Sequence, residues 1–167
     1  GDVLRLIDAF ATVSASGLGS RGVNRQFEVL ESPGGYTMED ATRGLGVLTY
    51  DAAGSQSRGN LVRSTSTTFD QPAHAAAVDA HYFAEMVYDA YRALGRNSLD
   101  DAGMKIVSTV HFGENYVNAG WTGAQMIYGD GDPSLHYPLS VAPDVVAHEL
   151  QHAVTDGYGH RFAKMSL

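Results

Sequence analysis

The chain has 167 residues, 44% of them hydrophobic and 18% charged, and 19 acidic against 11 basic residues leave a formal charge of −8. That size and composition fit one globular domain, or one large lobe of a bigger enzyme; the acidic balance argues against nucleic acid or an anionic membrane as the main partner and suits calcium, which prefers carboxylate oxygens. Cysteine is absent, so no disulfide can staple the fold and no thiol can act as nucleophile or metal ligand.

Gly1, rather than methionine, opens the chain, which points to processing or an imposed boundary. Val3 to Val13 is apolar but interrupted by Arg5 and Asp8. It is a poor signal-peptide core, too short to span a membrane, and reads as a strand or the tail of a removed pro-segment. Residues 1–17 are therefore expected to be an N-terminal extension or a pro-segment remnant, with the catalytic lobe from 18 to 156. The stretch 14–26, with Ser14-Ala15-Ser16-Gly17-Leu18-Gly19-Ser20-Arg21-Gly22, is turn-rich. Gln26 to Leu30 and Tyr36 to Met38 predict short strands, joined by a hairpin turn at Pro33-Gly34-Gly35. Gly46 to Asp51 predicts another strand, Ser55 to Asn60 a loop, and the hydroxyl-rich Ser64 to Thr68 carries no clear signal. From Val78 to Leu94 apolar residues recur at helical spacing, and Gly95 is a natural stop. Tyr82, Tyr88 and Tyr91 on that helix suit packing. The β-branched run Lys105 to Phe112 and the segment Ala124 to Tyr128 predict strands. Gly129-Asp130-Gly131-Asp132 closes the second as a tight turn, because it lacks the glutamate that ends a calcium-binding loop. His74, His111 and His136 have no metal spacing. The last helix begins at Pro143-Asp144, where Pro suits a first turn and Asp the positive helix end. It is expected to run to about Asp156, before Gly157 and Gly159 break it.

That last helix carries His148-Glu149-Leu150-Gln151-His152. Residues four apart share a helix face, so both imidazoles point the same way, as two ligands of one zinc ion must. Glu149 beside them is placed to take a proton from water. This is the mechanical content of the HExxH zinc-peptidase motif; the plainer reading is two surface histidines flanking a chance glutamate.

Four blocks in order, Val78-Asp79-Ala80-His81-Tyr82-Phe83-Ala84, Asn118-Ala119-Gly120-Trp121, Gln125-Met126-Ile127-Tyr128-Gly129-Asp130-Gly131 and Asp144 to Asp156, resemble the thermolysin-like neutral metallopeptidases. Thr42-Arg43-Gly44 with Val47 to Asp51 is a weaker fifth. The resemblance covers residues 18–156. It implies an α+β, zincin-like fold: a β-rich N-terminal lobe with one long packing helix and a C-terminal zinc-motif helix, the family's helical second lobe missing. It implies a secreted, extracellular zinc endopeptidase stabilised by calcium, acting on peptide or protein substrates. His148 and His152 match the zinc ligands, Glu149 the general base, Asn118 and Ala119 the edge strand that holds substrate, and Asp144 a calcium carboxylate. Trp121 matches a structural residue near the cleft; Asp79 and His81 match structural positions at a helix start.

Departures from the pattern carry expectations too. The family's third zinc ligand, a glutamate, would fall past Leu167, and residues 157–167 diverge into a tail. His160, eight residues after His152 and beyond two glycines, is the local candidate for a third ligand, set against a solvent-exposed tail histidine. Gly120 stands where the family usually has a larger, often aromatic residue. The alternative function is a catalytically inactive truncated lobe that binds a peptide or a partner chain along its edge strand. Either way, the face that would meet a second lobe predicts self-association or a partner chain.

Overall fold

In the computed structural model, residues 11–132, 134 and 137–165 are described, those after Asp156 by backbone course only. The elements in chain order are β1 (Thr12–Leu18), β2 (Asn24–Ser32), β3 (Gly35–Thr37), β4 (Glu39–Asp40), β5 (Val47–Asp51), β6 (Asn60–Leu61), β7 (Arg63–Ser64), β8 (Thr68–Phe69), α1 (Ala75–Ala93), β9 (Ile106–Val110), β10 (Ala119–Trp121), β11 (Met126–Tyr128) and α2 (Pro143–Met165). One sheet has the order β7-β3-β2-β1-β8; the other has the order β10-β11-β9-β5-β4, with β6 paired to β5. This is the expected α+β arrangement, a β-rich portion served by two helices. No helix among the described residues is long and apolar enough to cross a membrane.

Residues 14–18, expected as turns, are instead the body of β1, paired antiparallel with β2 from Thr12↔Leu30 to Leu18↔Asn24. Small residues sit there because space is short, not because the chain turns. Ala15 is buried, and a Cβ on Gly17 would lie 2.5 Å from the Phe69 carbonyl oxygen and 2.7 Å from Val78 Cγ2. Gly17→Val is therefore expected to lower the unfolding free energy by about 1–3 kcal/mol through overpacking, read as a lower urea midpoint at unchanged slope. The hydroxyl-rich segment 64–68 supplies the two short strands β7 and β8. The hairpin turn expected at Pro33-Gly34-Gly35 falls at Pro33-Gly34, with Gly34 at φ +80°. Residues 1–10 and His136, which also drew expectations, lie outside the described residues.

α1 bridges the two sheets, and its buried face explains Asp79 and His81. The His81 ring is fully buried. Its Nδ1 lies 2.8 Å from Thr49 Oγ1 on β5 and its Nε2 3.0 Å from the Glu28 carbonyl on β2. One imidazole thus ties both sheets to the helix. Asp79 accepts the Ser20 N–H at 2.7 Å and pairs with Arg25 at 3.3 Å, holding the β1–β2 turn against the helix start. Lower on α1, Arg43 pairs with Asp40, Glu85 and Asp89. These acceptors, Asp89 first, hold the guanidinium charged against the cost of its partial burial.

α2 packs Val146, Leu150, Ala153 and Val154 into the core, spacings of four, three and one that define a single helical face. Asp144, His148, Gln151, His152 and Thr155 face outward. The helix does not stop at Asp156 but continues to Met165. A helix-interior glycine costs about 1 kcal/mol against alanine; it ends a helix only where the backbone turns left-handed, and Gly157 and Gly159 lower helix propensity without forcing that turn.

Candidate metal centre

His148 and His152 project from adjacent turns of α2 with their rings nearly perpendicular, at 83°. Their Nε2 atoms are 3.2 Å apart. Two nitrogens on one tetrahedral zinc, each about 2.0–2.1 Å from the metal, would be separated by roughly 3.4 Å. The observed spacing is close to that separation. Glu149 is half-buried beside them, and one donor atom from each of His148, Glu149 and His152 falls within 4.8 Å of the others. Among the described residues this is the one such group. The donor set is also right in kind, since imidazole nitrogen with carboxylate oxygen suits zinc.

Below the helix, Tyr128 of β11 is wholly buried. Burial pushes its phenol well above the ordinary range and the nearby Glu149 carboxylate adds to the shift. The ring is therefore a neutral floor under the site, not a source of charge.

A groove of about 620 Å³ runs between α2 and β10, with Ala119, Gly120 and Trp121 on one wall and Glu149, His152 and Asp156 on the other. β10 is the terminal strand of its sheet. The Gly129 N–H donates to the Asn118 carbonyl at 3.0 Å and the Thr122 N–H to the Gln125 carbonyl at 2.9 Å. These inward bonds fix the alternation of the ladder, so the backbone groups of Ala119 and Trp121 face the open edge. The Asn118 side chain is exposed, and its Oδ1 accepts the Ala119 N–H at 3.0 Å. Of the predicted site residues, Glu149, His152 and Ala119 line this groove; His148 lies beside His152 on α2, and Asn118 directly precedes Ala119.

Asp144 stands apart. It is exposed in the first turn of α2 and belongs to no three-donor group among the described residues. The His160 side chain lies outside the described residues. His111 follows β9 in the left-handed region, φ 50°, with Nδ1 2.7 Å from Asp130 Oδ1. It lines a separate groove of about 590 Å³ with Ser20, Pro72 and Tyr137, away from the three-donor group.

Two contacts that hold the motif helix carry no signal in the local sequence pattern. The Trp121 indole N–H donates to Asp156 Oδ2 at 3.0 Å, joining the edge strand to the motif helix. The Tyr91 hydroxyl donates to Gln151 Oε1 at 2.5 Å, joining α1 to the same helix. Asp156 could have been found, because it lies four residues beyond His152 on the same helix face. Its indole partner is set by tertiary packing and has no local signal.

The family model described as the thermolysin metallopeptidase catalytic domain matches residues 14–156. Neutral protease NprE of Bacillus pumilus is 47% identical over 150 residues, covering 87% of this chain and 50% of that protein. A thermolysin of Bacillus sp. (strain EA1) is 49% identical over 125 residues, covering 74% of this chain and 23% of that protein. Among solved structures, the precursor of protealysin, a metalloproteinase from Serratia proteamaculans, superposes with a TM-score of 0.57 at 36% identity, covering 66% of this chain and 34% of that one. The chain thus spans half or less of the length of these relatives.

Proposed function

The chain belongs to the thermolysin metallopeptidase family, and from that premise we propose that it serves as a zinc-dependent endopeptidase, hydrolysing peptide bonds in the groove between β10 and α2. The observation that carries this reading is the pair of Nε2 atoms 3.2 Å apart with Glu149 beside them, facing an open strand edge. His148 and His152 would hold zinc. A bound zinc supplies Lewis acidity, which makes water a competent nucleophile near neutral pH. Glu149 accepts the proton of the attacking water and returns it to the leaving amine. The substrate lies extended on β10, taking backbone hydrogen bonds from Ala119 and Trp121 and a side-chain amide contact from Asn118. Trp121 and Asp156 brace the strand against the helix, so the distance between substrate and base stays short.

A catalytic zinc has three protein ligands and one open position, and the described side chains contribute two histidines. Calcium enters the reading through Asp144, which offers one carboxylate of the six to eight oxygens that ion takes; the remainder come from other residues or from a partner chain on the exposed face of α2. The site of action is extracellular, as the family resemblance implies. A peptide-binding lobe without hydrolysis would share the same edge strand but leave Glu149 idle.

Metal analysis and peptide hydrolysis test the proposal together. The dialysed protein is expected to retain about one zinc per chain and to cleave an unstructured peptide; a chelator removes both properties and added zinc restores both. Cleavage that persists after the metal is stripped overturns the reading, and zinc retention without cleavage favours the binding lobe.

A further inference from the structure

The residue that opens α1 is a histidine. His74 holds the N-cap position, where Ser, Thr, Asp or Asn is favoured because its side chain accepts a backbone N–H. The His74 side chain makes no such bond. It is half-buried instead, tilted against the Phe69 ring of β8 with centroids 5.4 Å apart, and Phe69 meets Phe27 of β2 edge-on. His74 therefore joins the start of α1 to the aromatic packing of the first sheet. A second tie runs onward from the same turn. The buried Ser140 hydroxyl donates to the Ala76 carbonyl at 3.0 Å, so the segment that leads into α2 leans on the start of α1.

We propose that His74 is an acid-sensitive latch: its neutral ring pins the start of α1 to β8, and protonation drives the ring out and releases that turn. A neutral imidazole has one N–H and one bare nitrogen, whereas the imidazolium has an N–H on both. His74 Nδ1 is buried with no hydrogen-bond partner among the described residues. It serves as the bare nitrogen, but once protonated it becomes a buried donor without an acceptor. The positive end of α1 opposes a cation there as well. The charged groups around the ring come from four elements. Asp70 follows β8 and Asp51 ends β5, and both favour the charged form. Arg63 of β7 lines the same cavity of about 230 Å³, but its guanidinium is turned to Ser32 Oγ and the Pro33 carbonyl. His111, after β9, has Nε2 3.4 Å from the Ala73 carbonyl. Burial outweighs the two carboxylates and holds the His74 pKa below its ordinary 6.5. The sign of the pH dependence follows by linkage. The released histidine takes up a proton near the ordinary value and the latched one only at lower pH. The latch is therefore complete above 6.5 and is lost as the pH falls through the lowered value. None of this depends on peptide hydrolysis.

The test compares the wild type with His74→Phe, which keeps a ring that cannot charge, and His74→Asn, a favoured N-cap that cannot charge. Thermal unfolding and hydrogen exchange of residues 70–80, corrected for the intrinsic pH dependence of exchange, are followed from about pH 7.5 to about pH 5, a window that spans the ordinary histidine value. The wild-type melting temperature is expected to fall by about 2–4 °C more than that of either variant across this range, the scale of one unit of linkage in a chain of this size. The wild-type segment 70–80 loses protection at the acid end and keeps it at the other, while both variants keep it throughout. The assigned His74 ring resonance titrates below the ordinary value. Parallel pH curves in the three proteins, or a His74 titration at or above 6.5, overturn the inference. If one variant fails to fold, the other variant and the wild-type titration still decide it.

Discussion

Glu149→Gln is expected to cut peptide hydrolysis by about 10²–10⁴-fold, the range of a positioned general base, while zinc content stays at the wild-type level. The substitution is close to isosteric, and Glu149 is half-buried on the margin of α2 rather than in the core. The helix is held by Val146, Leu150, Ala153 and Val154, none of which the change touches. Both histidines keep their ring positions, because the 3.2 Å spacing of their nitrogens is set by the helix turn. Only the ability to accept a proton is lost. Zinc measured by metal analysis and kcat/KM measured on the same preparation separate the two roles. Full activity in the glutamine form would assign proton transfer elsewhere, and a parallel loss of zinc would make Glu149 a ligand instead of a base.

How much of this was visible before the fold was known follows the range of each signal. The histidine pair is a local pattern, two residues one helical turn apart, so its geometry was fixed once α2 was a helix. The same locality made α1 legible from its apolar spacing and the hairpin from Pro33-Gly34-Gly35. β1 was hidden because composition there answers to a neighbour distant in sequence. Gly17 is glycine on account of Phe69 and Val78, and a Ser-Ala-Ser-Gly run looks like a turn until the element against it is known. Glycine misled in the opposite direction in α2, where Gly157 and Gly159 suggested a break inside a helix that continues to Met165. The His81 clasp between Thr49 and Glu28 and the Trp121–Asp156 bond join residues dozens of positions apart. No periodicity encodes such pairs; they exist only when sheet order and helix placement are settled. The edge position of β10 is of the same kind, and the resemblance to a family supplied it where spacing could not.

His148→Ala and His152→Ala are each expected to weaken zinc binding by more than the roughly 10–100-fold typical of disturbing an outer-shell partner, since each removes a direct ligand of an ion that needs three. Hydrolysis should fall with occupancy. Stability in the absence of metal should stay within about 0.5 kcal/mol of wild type, because both side chains are exposed and substitutions at such positions are close to neutral. That combination discriminates between the two accounts of a 3.2 Å contact between imidazole nitrogens. If one ring simply donates a hydrogen bond to the other, removing either ring changes neither zinc content nor activity. If both nitrogens converge because one cation is to sit between them, either alanine empties the site and leaves a folded, inert chain. Calorimetric zinc titration of the three proteins, with thermal unfolding run in chelator as the control for folding, reads both quantities. Equal zinc affinity across the three would remove the metal from α2, and with it the reason for Glu149 to act as a base there.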